Sequence, residues 1–131
     1  MSKLPVALII EDEAFWSGVM ARLLRQIGVD SQVACDAVRA RELLRARFFD
    51  VVLVDLVLPG QEGIDLIQEI QRDRLLLNRC VIVTAHEHIA SYFSAEIPII
   101  DKNRIQELVP QVLRILGERE DLPRPGDLTA S

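Results

Sequence analysis

Five short apolar runs, each followed by an amphipathic stretch, constrain the fold of this chain more than any other feature of its sequence. Parallel strands need long crossover connections, which are usually helices, so this rhythm favours βαβ units with right-handed crossovers. It predicts a five-stranded parallel sheet with five helices distributed over both of its faces. The runs cover residues 6–10, 31–35, 50–56, 80–84 and 97–100.

Helical periodicity is clearest after the first and the last run, and a glycine follows each of these helices as a stop signal. The first apolar stripe consists of Phe15, Val19, Leu23, Leu24 and Ile27, with Gly28 after it. The last consists of Ile105, Leu108, Val109, Val112 and Leu116, with Gly117 after it. The VVLV and VIV segments are apolar throughout instead of alternating, which indicates strands buried on both faces in the centre of the sheet.

Chain length and composition fit one compact domain. The 131 residues are half apolar and 27% charged, which is enough for one hydrophobic core and leaves no room for a second. We expect this domain to cover residues 1–117. Residues 118–131 combine charges with two prolines and a glycine and lack apolar periodicity, so they predict a flexible tail or the start of a linker.

Charge, the N-terminal sequence and the cysteines narrow the possible partners and surroundings. A net charge of -5 and a pI near 5.0 argue against nucleic acid as a direct partner, because phosphate backbones attract basic proteins. The N-terminal apolar run is too short for a signal peptide or a membrane span, so we expect a cytoplasmic protein without membrane contact. Cys35 and Cys80 lack the spacing of a zinc site, and we interpret both as reduced thiols in the core.

Polar residues follow four of the five apolar runs, at the points where the strands should end. Because the carboxyl ends of parallel strands meet at one edge of the sheet, where open α/β sheets bind ligands, we expect these side chains to converge. The candidates are Glu11, Asp12, Asp55, Thr84 and Lys102.

Together these residue types suit phosphoryl transfer to a carboxylate. Carboxylates that lie close together raise one another's pKa, and a hard divalent cation relieves their repulsion through oxygen ligands. Lys102 offers a fixed positive charge and Thr84 a hydroxyl donor for phosphoryl oxygens, with Asp55 as the nucleophile. Each residue alone has an ordinary explanation, such as a helix cap or a solvated strand end. A functional site explains four such residues at one edge of the sheet better than four independent coincidences do.

Four segments carry a resemblance to a known family: LIIEDE, DVVLVDLVLPGQEGIDLI, VIVTAH and IPIIDKN. The second is the most specific, with Pro59 four residues and Gly63 eight residues after Asp55. On these segments, residues 4–117 resemble the receiver domains of two-component response regulators. The resemblance implies an α/β fold of the flavodoxin-like type, doubly wound, with a five-stranded parallel sheet in the order 2-1-3-4-5 and five helices.

The resemblance also implies a metal site for Mg²⁺, or Mn²⁺ in its place. Asp12 would bind the metal directly and Glu11 mostly through a water molecule. The Asp55 carboxylate and the main-chain carbonyl of Val57 would complete the protein ligands.

In the same family-based interpretation, Asp55 is the phosphoacceptor, Thr84 hydrogen-bonds the phosphoryl group and Lys102 pairs with it. The backbone N–H groups of Leu56 and Ala85 would add further donors. The phosphate would come from a phosphohistidine on a sensor histidine kinase or a histidine phosphotransfer protein, and hydrolysis would reset the switch. We therefore expect no enzyme activity beyond the chain's own phosphorylation and dephosphorylation, and an output through a downstream protein target that the sequence does not identify.

Three positions depart from the family pattern. The aromatic residue that many members carry three residues before the lysine is Ile99 here, so the usual aromatic readout is absent or replaced. Tyr92 or Phe93 could substitute for it, although Phe93 fits a place in the core better. The segment between the threonine and the lysine is shorter than usual, which predicts a short fourth helix. Asn103 follows Lys102 where a proline is common, and we expect a trans peptide bond between them.

Other functions remain open at this point. The chain could be an interaction module that signals without phosphorylation, or a receiver excised from a larger DNA-binding regulator or hybrid kinase. A haloacid dehalogenase-like phosphatase is weaker, because its second aspartate would fall on Val57. Val57 and His86 each lie two residues after a site residue, and we hypothesise that they set the lifetime of the phosphorylated state.

Overall fold

The computed structural model describes residues 4–55, 62–86 and 96–120. Within them, five parallel strands form one sheet in the order β2-β1-β3-β4-β5. This order confirms the predicted doubly wound α/β fold of the flavodoxin-like type. The strands are β1 (Val6–Ile10), β2 (Asp30–Ala34), β3 (Val51–Val54), β4 (Cys80–Thr84) and β5 (Ile99–Asp101).

Helices connect these strands, and aspartate side chains cap several of their N-termini. Asp36, for example, accepts a hydrogen bond of 2.8 Å from the N–H of Arg39 at the start of α2. A single-turn helix, α4, precedes β4 and was not predicted, while the expected helix between β4 and β5 falls within residues 87–95, outside the described residues. The helices are α1 (Ala14–Gln26), α2 (Ala37–Ala46), α3 (Glu62–Gln71), α4 (Arg74–Leu77), a 3-10 helix (Lys102–Glu107) and α5 (Leu108–Glu120).

The sheet separates two apolar layers. Side chains alternate along β1, so that Leu8 and Ile10 face the layer under α2 and α3, while Ala7 and Ile9 face the layer under α1 and α5. All residues of β3 and β4 are buried, which confirms that these uniformly apolar runs are central strands.

The two edge strands differ from the central ones. In β2 the first three residues, Asp30 to Gln32, are polar, and most of the strand is exposed or half-buried. At the other edge, β5 is only three residues long.

The buried face of α1 differs from the predicted stripe. Phe15 is 70% exposed, whereas Trp16, Met20 and Leu24 pack into the layer beneath the helix. Neighbouring positions on a helix point about 100° apart, so beginning the stripe at Phe15 instead of Trp16 turned the wrong side inward. Ile27 belongs to the predicted stripe and also packs in the observed one, so periodicity alone did not distinguish the two orientations of the helix.

The cysteines and the last helix also differ in part from expectation. Cys80 is buried, and burial raises the pKa of its thiol to about 12, as a core thiol requires. Cys35 is exposed because β2 ends one residue before it, so its assignment to the core was wrong.

Helix α5 continues to Glu120, past the predicted stop at Gly117.

Two further observations concern the backbone and the length of the helices. The described residues contain no cis peptide bond, which confirms a trans bond between Lys102 and Asn103. No helix in the described part of the chain is long and apolar enough to cross a membrane.

Candidate functional site

The register of the two neighbouring strands β1 and β3 brings two carboxylates together. Ile10 pairs with Val54, and the N–H of Asp55 donates a hydrogen bond of 2.9 Å to the carbonyl of Ile10. Glu11 and Asp55, which each follow one member of this pair, therefore lie side by side at the carboxyl edge of the sheet.

A third carboxylate, that of Asp12, completes an acidic cluster. One carboxylate oxygen from each of Glu11, Asp12 and Asp55 lies within 4.8 Å of the other two. Glu11 is 1% and Asp55 5% exposed, whereas Asp12 faces solvent. The structure thus gathers the three side chains predicted to hold a metal, and Val57, the predicted main-chain ligand, lies outside the described residues.

Lys102 places its ammonium group against two of these carboxylates. Its Nζ donates a hydrogen bond of 3.0 Å to Oδ2 of Asp55 and lies 2.7 Å from Oε1 of Glu11. The second contact is a buried ion pair, and Oε1 of Glu11 has no other hydrogen-bonding partner among the described residues. The contact between Lys102 and Glu11 was not predicted from the sequence.

The electrostatics of this cluster leave an excess of negative charge. Burial raises the pKa of the Glu11 carboxyl to about 7; Lys102 opposes this shift, and the neighbouring Asp55 carboxylate adds to it. Burial alone would lower the pKa of Lys102, but its contacts with Glu11 and Asp55 outweigh that effect and raise it. A single ammonium group therefore stays charged among three carboxylates.

In metal-free buffer, Glu11→Gln is expected to raise the free energy of unfolding at pH 8 by about 1 to 3 kcal/mol. The folded-state pKa of about 7 lies above the ordinary value of 4.5, so folding favours the protonated carboxyl. The contribution of this proton to the free energy of unfolding is fully present below pH 4.5 and is lost as the pH rises through 7. The glutamine amide imitates the neutral carboxyl at every pH. Urea unfolding at pH 5 and pH 8 measures the effect, which should shrink at pH 5.

Glu13→Gln is the matched control for this measurement, because Glu13 is a nearby but exposed glutamate. Its stability should follow that of the wild type at both pH values. A Glu11→Gln protein that is less stable than the wild type at pH 8 would contradict this account of the cluster.

Thr84 ends β4 at the same edge of the sheet. Its side chain is fully buried, and its Oγ1 accepts a hydrogen bond of 3.1 Å from the N–H of His86. Thr84 pairs in register with Asp101, the residue before Lys102. The hydroxyl and the ammonium group therefore come from the ends of neighbouring strands, as the sequence predicted.

Trp16 is a neighbour of the site that the sequence analysis missed. The Nζ atom of Lys102 lies 5.3 Å from the centre of its ring, a cation–π distance, and the Phe15 ring meets it edge to face at 5.2 Å between ring centres. The available signal was a tryptophan in the first turn of the helix that follows the acidic pair. Trp16 is partly buried and packs against the layer under α1, next to the lysine.

The donor set fits a hard divalent cation. All the side-chain ligand atoms in the cluster are carboxylate oxygens, their charge exceeds that of Lys102, and a buried oxygen of Glu11 has no partner besides Lys102 among the described residues. Mg²⁺ and Mn²⁺ prefer such oxygen ligands, whereas zinc sites use nitrogen and sulfur. The residues present therefore suit the predicted metal.

Comparison with known proteins finds relatives that share these features. The response regulator receiver domain family matches residues 7–97, more than half of the chain. Response regulator protein PilR of Pseudomonas aeruginosa is 32% identical over 126 residues, which cover 89% of this chain and 28% of PilR. The chain thus spans less than a third of the length of that relative.

Solved structures show the same architecture. A sensor protein from Polaromonas sp. JS666 superposes with a TM-score of 0.74 and 26% identity, over 87% of this chain and 97% of the other. Response regulator protein TrrA of Thermotoga maritima, in complex with Mg²⁺ and BeF, shares the fold with a TM-score of 0.69 and 19% identity, over 86% and 99% of the two chains.

The family match includes the acidic pair, Asp55 and Thr84, and it ends before Lys102. Lys102 is joined to the same site by its contacts with two of these residues. Sequence, fold and site therefore agree, and the chain belongs to the response regulator receiver domain family.

Proposed function

We propose that Asp55 accepts a phosphoryl group in a two-component system or a phosphorelay. The donor is a phosphohistidine on a sensor histidine kinase or a histidine phosphotransfer protein. One observation carries the proposal: the Asp55 carboxylate is buried within an acidic cluster and is held by the ammonium group of Lys102 at 3.0 Å. The complex of TrrA with Mg²⁺ and BeF supports it, because TrrA has the same fold.

Four residues would hold Mg²⁺, or Mn²⁺ in its place. Asp12 and Asp55 offer carboxylates directly, Glu11 acts mostly through water, and Val57 contributes its main-chain carbonyl. When bound, the ion neutralises charge on the carboxylates and on the phosphoryl oxygens. Asp12 is the exposed member of the cluster and is the first to meet an ion that enters from solvent.

The chain's own residues carry the transfer. A carboxylate oxygen of Asp55 attacks phosphorus, the new O–P bond forms as the N–P bond of the phosphohistidine breaks, and the electron pair of that bond returns to the imidazole. Lys102 then pairs with a phosphoryl oxygen as a fixed positive charge, and the Thr84 hydroxyl donates to another. Water later attacks the acyl phosphate and restores the free carboxylate.

In this proposal, the chain passes on its signal by binding another protein. As a receiver domain, the chain is a signalling module, and we propose that it catalyses only its own phosphorylation and dephosphorylation. We propose that the switching domain extends to the end of α5 at Glu120, three residues beyond the predicted boundary, and that it acts within the cytoplasm without direct contact to nucleic acid or membrane. Residues 121–131 lie outside the described residues. All the residue types of the acceptor site are present, which argues against a module that signals without phosphorylation.

The experiment that tests this function is phosphorylation by acetyl phosphate with Mg²⁺, read by intact-protein mass. The wild-type chain should gain one phosphoryl group, and the Asp55→Asn variant should gain none. Capture experiments with the beryllofluoride-treated chain, again compared with Asp55→Asn, would then identify the downstream target.

Residues at two positions flanking the site should set how long the phosphoryl group persists. His86 is exposed, and its main-chain N–H donates a hydrogen bond to the Thr84 hydroxyl, the group that would donate to a phosphoryl oxygen. We expect His86→Ala and Val57→Asn to change the half-life of phosphorylated Asp55 severalfold by altering the access of water. Mass spectra taken at intervals after acetyl phosphate is removed measure that half-life.

Gln106→Ala, an exposed change in the 3-10 helix, is the control and should leave the half-life unchanged. Equal half-lives for the wild type, His86→Ala and Val57→Asn would show that these positions do not govern hydrolysis.

A further inference from the structure

A cleft lies at the amino ends of the central strands, on the side of the sheet opposite to the carboxyl ends that carry the acidic cluster. It has a volume of about 620 Å³ and is enclosed by the end of α2, the segment leading into β3, and helices α3 and α4. Its residues Phe49 and Arg79 come just before β3 and β4, whereas Glu11 and Asp55 come just after β1 and β3. The phosphoacceptor site and this cleft are therefore separate, and the mechanism makes no use of the cleft.

Arginines give the cleft a charge opposite to that of the whole chain. Four arginines and two acids line it, which leaves a formal charge of +2 in a chain whose net charge is -5. Arg41 and Glu69 form an ion pair of 2.8 Å across the cleft, and the Asp73 carboxylate caps α4. The charged lining residues are Arg41, Arg45, Arg47, Arg79, Glu69 and Asp73.

The other three arginines form no salt bridge with the described residues. The Arg79 guanidinium carbon lies 4.4 Å from the centre of the Phe48 ring, and its buried Nε has no hydrogen-bond partner among the described residues. Burial lowers the pKa of Arg79 and Asp73 partly offsets this, so an anion beside its guanidinium group in the cleft would stabilise the charged form. Arg47 packs over Phe49 at 5.1 Å, and neither it nor Arg45 forms an ion pair within the described part of the chain.

Apolar side chains make up most of the remaining lining. None of the described residues that line the cleft is a glycine or carries a hydroxyl or amide group, so they form neither the glycine-rich backbone cradle nor the neutral hydrogen-bonding set with which proteins recognise nucleotides. Arginines around apolar side chains instead complement carboxylates next to apolar side chains. The larger apolar lining residues are Leu44, Phe48, Phe49, Leu66, Ile70 and Leu76.

We propose that this arginine cleft binds an acidic peptide segment of a partner protein. Carboxylates of the segment pair with Arg45, Arg47 and Arg79, and an apolar side chain between them packs against the exposed Phe48 ring. The cleft is at the far edge of the sheet from Asp55, so this binding does not depend on the phosphoryl group. The receiver would then recognise one partner continuously while it exchanges phosphate with another.

A fluorescein-labelled peptide of alternating Asp and Leu residues tests this proposal by fluorescence anisotropy with the full 131-residue chain. The wild type and Asp55→Asn should bind it equally, and added salt should weaken the binding. Arg45→Glu and Arg47→Glu should each weaken it about tenfold or more, because each places like charges face to face. Both residues are exposed, so circular dichroism should show an unchanged fold.

Arg22→Glu is the matched control, because it reverses an exposed arginine on α1, outside the cleft. It should bind the peptide like the wild type. Peptides with Ser in place of Leu, or Lys in place of Asp, should bind more weakly. The proposal is overturned if the Asp–Leu peptide does not bind, if Arg22→Glu weakens binding as much as Arg45→Glu does, or if ATP shifts the cleft amide resonances in NMR spectra and the peptide does not.

Discussion

Asp55→Asn is expected to abolish phosphorylation of this chain. The asparagine amide has no anionic oxygen with which to attack phosphorus, and no other described carboxylate shares both the acidic cluster and a hydrogen bond from Lys102. After incubation with acetyl phosphate and Mg²⁺, intact-protein mass should show one added phosphoryl group on the wild type and none on the variant. Because the side chain keeps its shape, the fold should survive the change.

Asp65→Asn is the appropriate control, since Asp65 is an exposed aspartate on α3. It should be phosphorylated like the wild type. Equal mass gain by Asp55→Asn and the wild type would place the acceptor elsewhere. An unphosphorylated wild type would instead favour the interaction module that signals without phosphate.

Lys102→Met should cause the largest loss of stability among single changes at the site. It removes the only ammonium group that contacts the Glu11 and Asp55 carboxylates within the described residues, and both carboxylates are at least 95% buried. An uncompensated buried charge costs about 3–5 kcal/mol, so we expect a loss of that size in metal-free buffer at pH 8. Urea unfolding, followed by the fluorescence of the single tryptophan, measures it.

Two comparisons separate lost charge from lost packing in this variant. Lowering the pH to 5 should restore part of the stability, because Glu11 becomes protonated. Its pKa is about 7 in the wild type, and the loss of Lys102, which lowers that pKa, raises it further. The double variant Lys102→Met, Glu11→Gln should be more stable than Lys102→Met at pH 8, since only one buried carboxylate is then left without its cation. If neither change helps, the lysine acts through packing against Trp16 and not through charge.

Much of the fold followed from the sequence because parallel strands leave a clear pattern. Runs such as VVLV can be buried on both faces only in the centre of a sheet, and the residues after each run must share an edge. Glu11, Asp55, Thr84 and Lys102 were for this reason placed together correctly. Strand order came from the resemblance to a family, since hydrophobic patterns do not order strands.

Side-chain contacts between elements distant in sequence were harder to predict. The pairing of Lys102 with Glu11 depends on the exact rotation of the 3-10 helix after β5, which no local pattern specifies. Trp16 was overlooked because two stripes one residue apart both fit the amphipathic pattern of α1. The arginine cleft left a visible signal, the segment RARELLRARFFD, but its basic residues were spaced like an ordinary solvated helix face.

The edges of the sheet limit how this protein can be recognised. Many partners bind by adding a strand to an open edge, where main-chain groups provide affinity for almost any extended sequence. Here one edge strand carries aspartate, serine and glutamine, and the other has three residues, so neither offers a long, flat ladder. The partners proposed for this chain would then be distinguished by side chains that helices and clefts display. We therefore expect a few substitutions on these surfaces to change which partner the chain recognises and to leave the acceptor site unchanged.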